Sequence, residues 1–147
     1  MDINKLREQL KIDEGVKYEV YNDHLGYKTF GIGHLVTPED PEYDAPIGRE
    51  ITEDRVNAVF DKDVLTYIEE SEKVFPDLKD KPEEVQQVIV NMCFNMGRPR
   101  LEGFKKFIQA INDEDWATAS VEMLDSRWAK QVGVRATRLS DRIKAIS

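Results

Sequence analysis

A chain of 147 residues, 40% apolar and 34% charged, suits one domain or two small lobes sharing a core, and its even composition excludes disorder and repeat arrays. A net charge of −8 argues against nucleic acid as a partner, and no stretch approaches the roughly 20 apolar residues of a membrane span. The N-terminus lacks a secretory apolar run, so cytosolic synthesis without stable membrane insertion is expected; no heptad or apolar stripe argues for assembly, so a monomer is expected.

Ile3, Leu6 and Leu10 recur at helical steps, so the chain opens on a short amphipathic helix that Gly15 can close in a left-handed cap. From Val16 to Gly33 the pattern becomes alternating, with Asn22, Asp23 and Gly26 as turn residues: a β-hairpin with a five-residue loop, the basis of a small, up to three-stranded sheet. Residues 36–50 hold three prolines and little periodicity and read as an exposed loop. Thr52 caps a long helix carrying Val56, Phe60, Val64, Tyr67 and Ile68, which ends before Phe75-Pro76 and joins two lobes.

Pro82 leads the most apolar helix, which stops at Gly97 and contains Cys93, the one cysteine, read as a buried thiol. Leu101, Phe104, Phe107, Ile108 and Ile111 mark a single further helix, and Trp116, Met123 and Leu124 the next. A short piece around Trp128 follows. A last helix spans 135–146 with Ala136, Leu139, Ile143 and Ile146 inward. Strands and helices are segregated, so the class is α+β and mostly helical. One domain over 1–147 is expected, with an N-terminal lobe about 12–52, a linking helix about 52–74, and a helical lobe about 75–147 that also takes helix 1–13.

Residues 1–97 carry 11 basic and 22 acidic groups, a net −11, whereas residues 98–147 carry 10 and 7, a net +3. An anionic ligand would favour C-terminal contributions. Helix C-termini favour cations, yet the first helix ends on two carboxylates, Asp13 and Glu14, where the negative helix end favours the protonated form of Glu14. Asp23 in the hairpin turn supplies a second carboxylate and Thr29 a hydroxyl on the returning strand. Two carboxylates flanking a bond are the apparatus of glycoside hydrolysis. Acid pairs at this spacing also arise as plain surface residues, so spacing leaves both alternatives open.

The wording is more specific. Ile12-Asp13-Glu14-Gly15, Tyr21-Asn22-Asp23 and Gly26-Tyr27-Lys28-Thr29-Phe30-Gly31-Ile32-Gly33-His34-Leu35 resemble the phage-type lysozyme (muramidase) family. The likeness continues in order through Ile47-Gly48-Arg49, Ile51-Thr52, Phe60, Asp63-Val64, Asn91-Met92, Phe94, Met96-Gly97, Gly103-Phe104 and Ser126-Arg127-Trp128. It implies Glu14 as general acid, Asp23 as second carboxylate and Thr29 as the residue placing water, in an inverting hydrolysis of peptidoglycan between N-acetylmuramic acid and N-acetylglucosamine. It also implies an endolysin, made in the host cytosol and released to the wall, with no cofactor and no metal.

By the same resemblance Arg135 looks like a partner of Glu14 and Arg138 of Asp13, and His34 looks like a structural histidine paired with Asp63. Matching sugar contacts are Leu35 and Phe94, with Asn95, Gln131 and Tyr21 as weaker ones. Two polar contacts of the family fall on Phe107 and Glu122, which implies altered subsites. The Gly31-x-Gly33 pair, lacking a third glycine or a following helix, reads as close backbone approach rather than phosphate binding. The chain also departs from the family's basic members in its acidity, and residues 36–50 are shorter than in larger members.

Overall fold

The computed structural model describes residues 1–146. They fold as two compact units, one of residues 3–66 and one of Met1–Asp2 with Tyr67 onward. No described helix is long and apolar enough to cross a membrane.

In the first unit, α1 (Ile3–Glu14) buries Leu6 and Leu10 and ends where Gly15, at φ +73°, donates to the Lys11 carbonyl at 3.0 Å. The strands β1 (Lys17–Asn22), β2 (Lys28–Gly31) and β3 (His34–Leu35) form an antiparallel sheet in that order, with five turn residues between β1 and β2. The long helix α2 (Glu53–Val74) starts under a Thr52 cap, whose hydroxyl accepts from the Arg55 N–H at 3.1 Å, and buries Val56, Phe60 and Val64. Arg7 of α1 pairs with Asp61 and lies over the Phe60 ring of α2.

Residues 36–50 contain no helix, but they are not simply exposed: Ala45 and Glu42 are buried, and the end of the segment lines the free edge of β1. Gly48 donates to the Val20 carbonyl, Val20 to Arg49 and Ile51 to Tyr18. Proline content signals the lack of a helix; it is silent about a buried carboxylate that an arginine from α2 neutralises.

In the second unit α3 (Glu83–Met96) is nearly all buried between Pro82 and Gly97. The single helix expected around 101–111 is two, α4 (Arg98–Glu102) and α5 (Lys105–Asn112). Gly103 donates back to the Arg100 and Leu101 carbonyls, and the break keeps Leu101 and Phe104 three residues apart, which mimics helical spacing. α6 (Trp116–Leu124) begins at Asp115, whose side chain accepts from Thr118, and packs on α5 and on α8 (Val134–Lys144). α7 (Arg127–Val132) buries Trp128. The last helix stops at Lys144, so Ile146 lies beyond it and is only half-buried. Cys93 is buried, and burial pushes its thiol up, away from the reactive thiolate.

Candidate active site

The first unit gathers the N-terminal candidates. Glu14, half-buried, closes α1, and the backbone of Gly33 lies against it: a Cβ at Gly33 would stand 2.6 Å from Glu14 Oε1 and 3.1 Å from its Cγ. With φ +63° as well, position 33 has two separate reasons to be glycine. Gly31, at φ +65°, faces Val56 in the same way, at 3.2 Å. The pair thus brings the turn between β2 and β3 against one end of α1 and the start of α2. Beside Glu14, Asp13 accepts from Gln9 Nε2 at 3.1 Å within the helix.

Asp23 organises the hairpin loop. Its Oδ1 accepts from the Leu25 N–H at 2.9 Å and the Tyr27 N–H at 2.8 Å, the side-chain-to-backbone pattern that makes aspartate a turn residue. Register then aligns a row across the sheet: Tyr21 stands opposite Thr29, and Thr29 opposite Leu35. Thr29 is 5% exposed and donates its hydroxyl proton to the Tyr27 carbonyl at 2.9 Å, so its oxygen lone pairs remain to accept. Leu35 is exposed. Burial raises the Tyr21 phenol above its ordinary value, and the charges of Glu14 and Asp23 raise it further. Both carboxylates therefore act on one phenol, which stays a neutral donor across the physiological range.

His34 occupies a different cluster. Its Nδ1 lies 2.6 Å from Asp63 Oδ2 on α2 and its Nε2 2.8 Å from Asp40 Oδ2 in the 36–50 segment. Asp40 also accepts from the Thr37 N–H, and Arg55 lies 3.6 Å from Asp40 while binding Glu42 through two bonds of 2.9 Å. Burial opposes charge on the imidazole, but Asp63 and Asp40 together prevail and its pKa is raised. Burial likewise opposes ionisation of Asp40, and the Thr37 and His34 bonds win, lowering it; Glu42 is lowered chiefly by Arg55. Among the described residues no group of histidine, cysteine or acidic side chains has the arrangement of a metal site.

The remaining candidates lie in the second unit. Phe94 is 5% exposed with its ring 5.1 Å from that of Tyr67, so most of its face is spent on packing. Asn95 accepts from the Trp128 indole at 2.8 Å, and Gln131 from Arg100 at 3.0 Å. Arg135 is buried, with Nε donating to Asn91 Oδ1 at 2.9 Å; Arg138 is half-buried on the same helix. Phe107 and Glu122 meet at a pocket of about 360 Å³ that Phe104, Lys105, Lys106 and Asp125 also line. Phe107, 1% exposed, serves there as floor rather than as an open aromatic face.

Sequence reasoning missed Asp40, Glu42 and Arg55 as members of the histidine cluster. The available signal was Asp40 three residues beyond Thr37, an aspartate poised to accept a nearby backbone N–H. Nothing in the sequence pointed to Lys17, whose ammonium sits 4.3 Å from the Tyr21 ring centroid.

A partly shielded carboxyl at a helix end, a second carboxylate on the hairpin turn, and a threonine oxygen on the central strand of the sheet make a set able to give a proton to one oxygen and orient a water toward a neighbouring carbon. Comparison with known proteins bears on that chemistry. The family model described as phage lysozyme matches residues 11–145. The probable T4-type lysozyme 2 of Dictyostelium discoideum is 30% identical, over 93% of this chain and 92% of its own. The probable T4-type lysozyme 1 of that organism is 31% identical over the same shares. The pre-baseplate central spike protein Gp5 of Enterobacteria phage T4 is 31% identical over 92% of this chain, which covers 27% of that protein.

Proposed function

The chain belongs to the phage lysozyme family, so it is a muramidase-type glycoside hydrolase, and we propose that it cleaves the β-1,4 bond between N-acetylmuramic acid and N-acetylglucosamine in bacterial peptidoglycan, with inversion. Glu14 gives its proton to the leaving glycosidic oxygen. A water held by the Thr29 oxygen attacks the anomeric carbon from the opposite face and gives up a proton to Asp23, whose carboxylate also steadies the positive charge developing on the sugar. Leu35, exposed on β3, contributes a sugar contact. The biological setting that fits is an endolysin, made in a host cell and acting on its wall at lysis.

The observation that carries this reading is the convergence on the hairpin. Glu14 packs on Gly33 at one end, Asp23 shapes the turn at the other, and the charge of both reaches Tyr21 between them. The test is turbidity clearing of purified peptidoglycan by the wild type beside Glu14→Gln, with mass spectrometry of the fragments. Clearing by the wild type alone, with reducing muramic acid ends and no anhydro products, is the expected result; equal clearing by both proteins removes Glu14 from its role.

A second reading is favoured by the likeness to Gp5: a phage structural module that keeps the fold with weak activity. It calls for peptidoglycan binding by both proteins and clearing by neither.

A further inference from the structure

Lys17 has no part in the scheme above, yet its position is specific. It opens β1 opposite Gly31, two residues before the glycine that packs on Glu14. Its side chain runs along the strand to place the ammonium 4.3 Å from the centroid of the Tyr21 ring, within the range where a cation is drawn to an aromatic face. Tyr21 in turn stands opposite Thr29 and is half-buried. One lysine therefore grips the ring of a tyrosine whose sheet neighbour is Thr29 and whose phenol feels both carboxylates.

We propose that Lys17 is a positioning residue for the hydrolysis, acting through Tyr21: its ammonium on the ring face fixes the phenol on the strand position opposite Thr29, where the hydroxyl serves as a hydrogen-bond donor at the bond being cleaved. This rests on the assignment of Glu14 and Asp23 above. A phenol is suited to the place because it brings a donor without bringing charge, and its burial among carboxylates keeps the proton on it. A lysine is suited to hold it, since its ammonium lies on the face of the ring, where a cation is attracted.

The test is a double-mutant cycle on peptidoglycan turnover. Lys17→Met lowers kcat about fivefold with KM within about twofold and melting unchanged, because a loosened ring misplaces a group at the reacting centre without removing a substrate contact. Lys17→Arg restores most of the rate, since a guanidinium also stacks on an aromatic face. Tyr21→Leu costs more, and adding Lys17→Met to it costs nothing further. An equal Lys17→Met loss in the Leu background, or a loss in KM that disappears at high salt, would show a lysine that merely attracts an anionic wall and would overturn the inference. So would an undiminished kcat in Lys17→Met. Glu14→Gln run in parallel separates the two levels: if it stays active the acid assignment fails, whereas an inert Glu14→Gln beside a fully active Lys17→Met defeats only the role of Lys17.

Discussion

Residues 3–66 hold two acidic clusters, and different observed contacts place the acids of each. Around His34, three carboxylates, Asp40, Glu42 and Asp63, each meet a cation at short range, with Arg55 and the imidazole crossing from one to the next. Around Tyr21, Glu14 is set by a glycine backbone and Asp23 by two N–H groups of its own loop. Acids locked by cations have their charge spent and tie elements together. Where the backbone itself fixes the position of a carboxylate, as at Gly33 and in the hairpin loop, the acid is held where a proton transfer needs it.

Substitutions separate the clusters sharply. In the Tyr21 cluster, Glu14→Gln keeps shape and removes the proton, so turnover should fall by about 10³-fold, within the range for loss of a general acid, with little change in melting. Gly33→Ala strikes the same acid from the backbone side. Its Cβ would stand 2.6 Å from Oε1 at φ +63°, so we expect kcat to drop by about tenfold and stability by about 1–2 kcal/mol, read from kinetics and denaturant unfolding together. A normal rate in that variant would mean that Glu14 has room to move without cost.

In the His34 cluster the signature reverses. Asp63→Asn should cost about 1–3 kcal/mol, the worth of a charge-assisted hydrogen bond, seen as a lower melting temperature with specific activity near normal. Severe loss of turnover at unchanged melting would merge the two clusters into one functional site.

The smallest expected effect is a slope in stability with pH. Because the folded pKa of His34 is raised, its contribution is fully present below about pH 6.5, the ordinary imidazole value, and is lost as pH rises through the folded value. Asp40 and Glu42 are lowered, so theirs is present above about pH 4 and is lost on acidification through their folded values. Melting temperature should therefore peak between about pH 5 and 6.5, with Asp63→Asn flattening the alkaline side. A wild-type melting curve that keeps rising from pH 6 to 9 would contradict the raised imidazole.

Much of this was legible in the chain itself. Gly15, Thr52, Pro82 and Gly97 mark helix ends because caps act within a turn of backbone, and alternation from Val16 to Thr29 marks the hairpin because side chains switch faces at every residue. The break at Gly103 was hidden because an apolar spacing of three fits one helix or two equally well. In the candidate site, Glu14 stood out by breaking the rule on charge at helix ends, and Asp23 by its turn. Arg55 and Glu42, thirteen residues apart on different elements, carry no such local mark.

The sequence by itself determined the family and most of the order of elements, since periodicity, capping and motif wording are properties of neighbours along the chain. Only the tertiary structure decided that Gly33 presses on Glu14, that Tyr21 lies within reach of two carboxylates and one ammonium, and that Asp40 shares His34 with Asp63. Those are contacts between elements, set by register and packing, and charge and steric forces act through space without regard to distance along the chain.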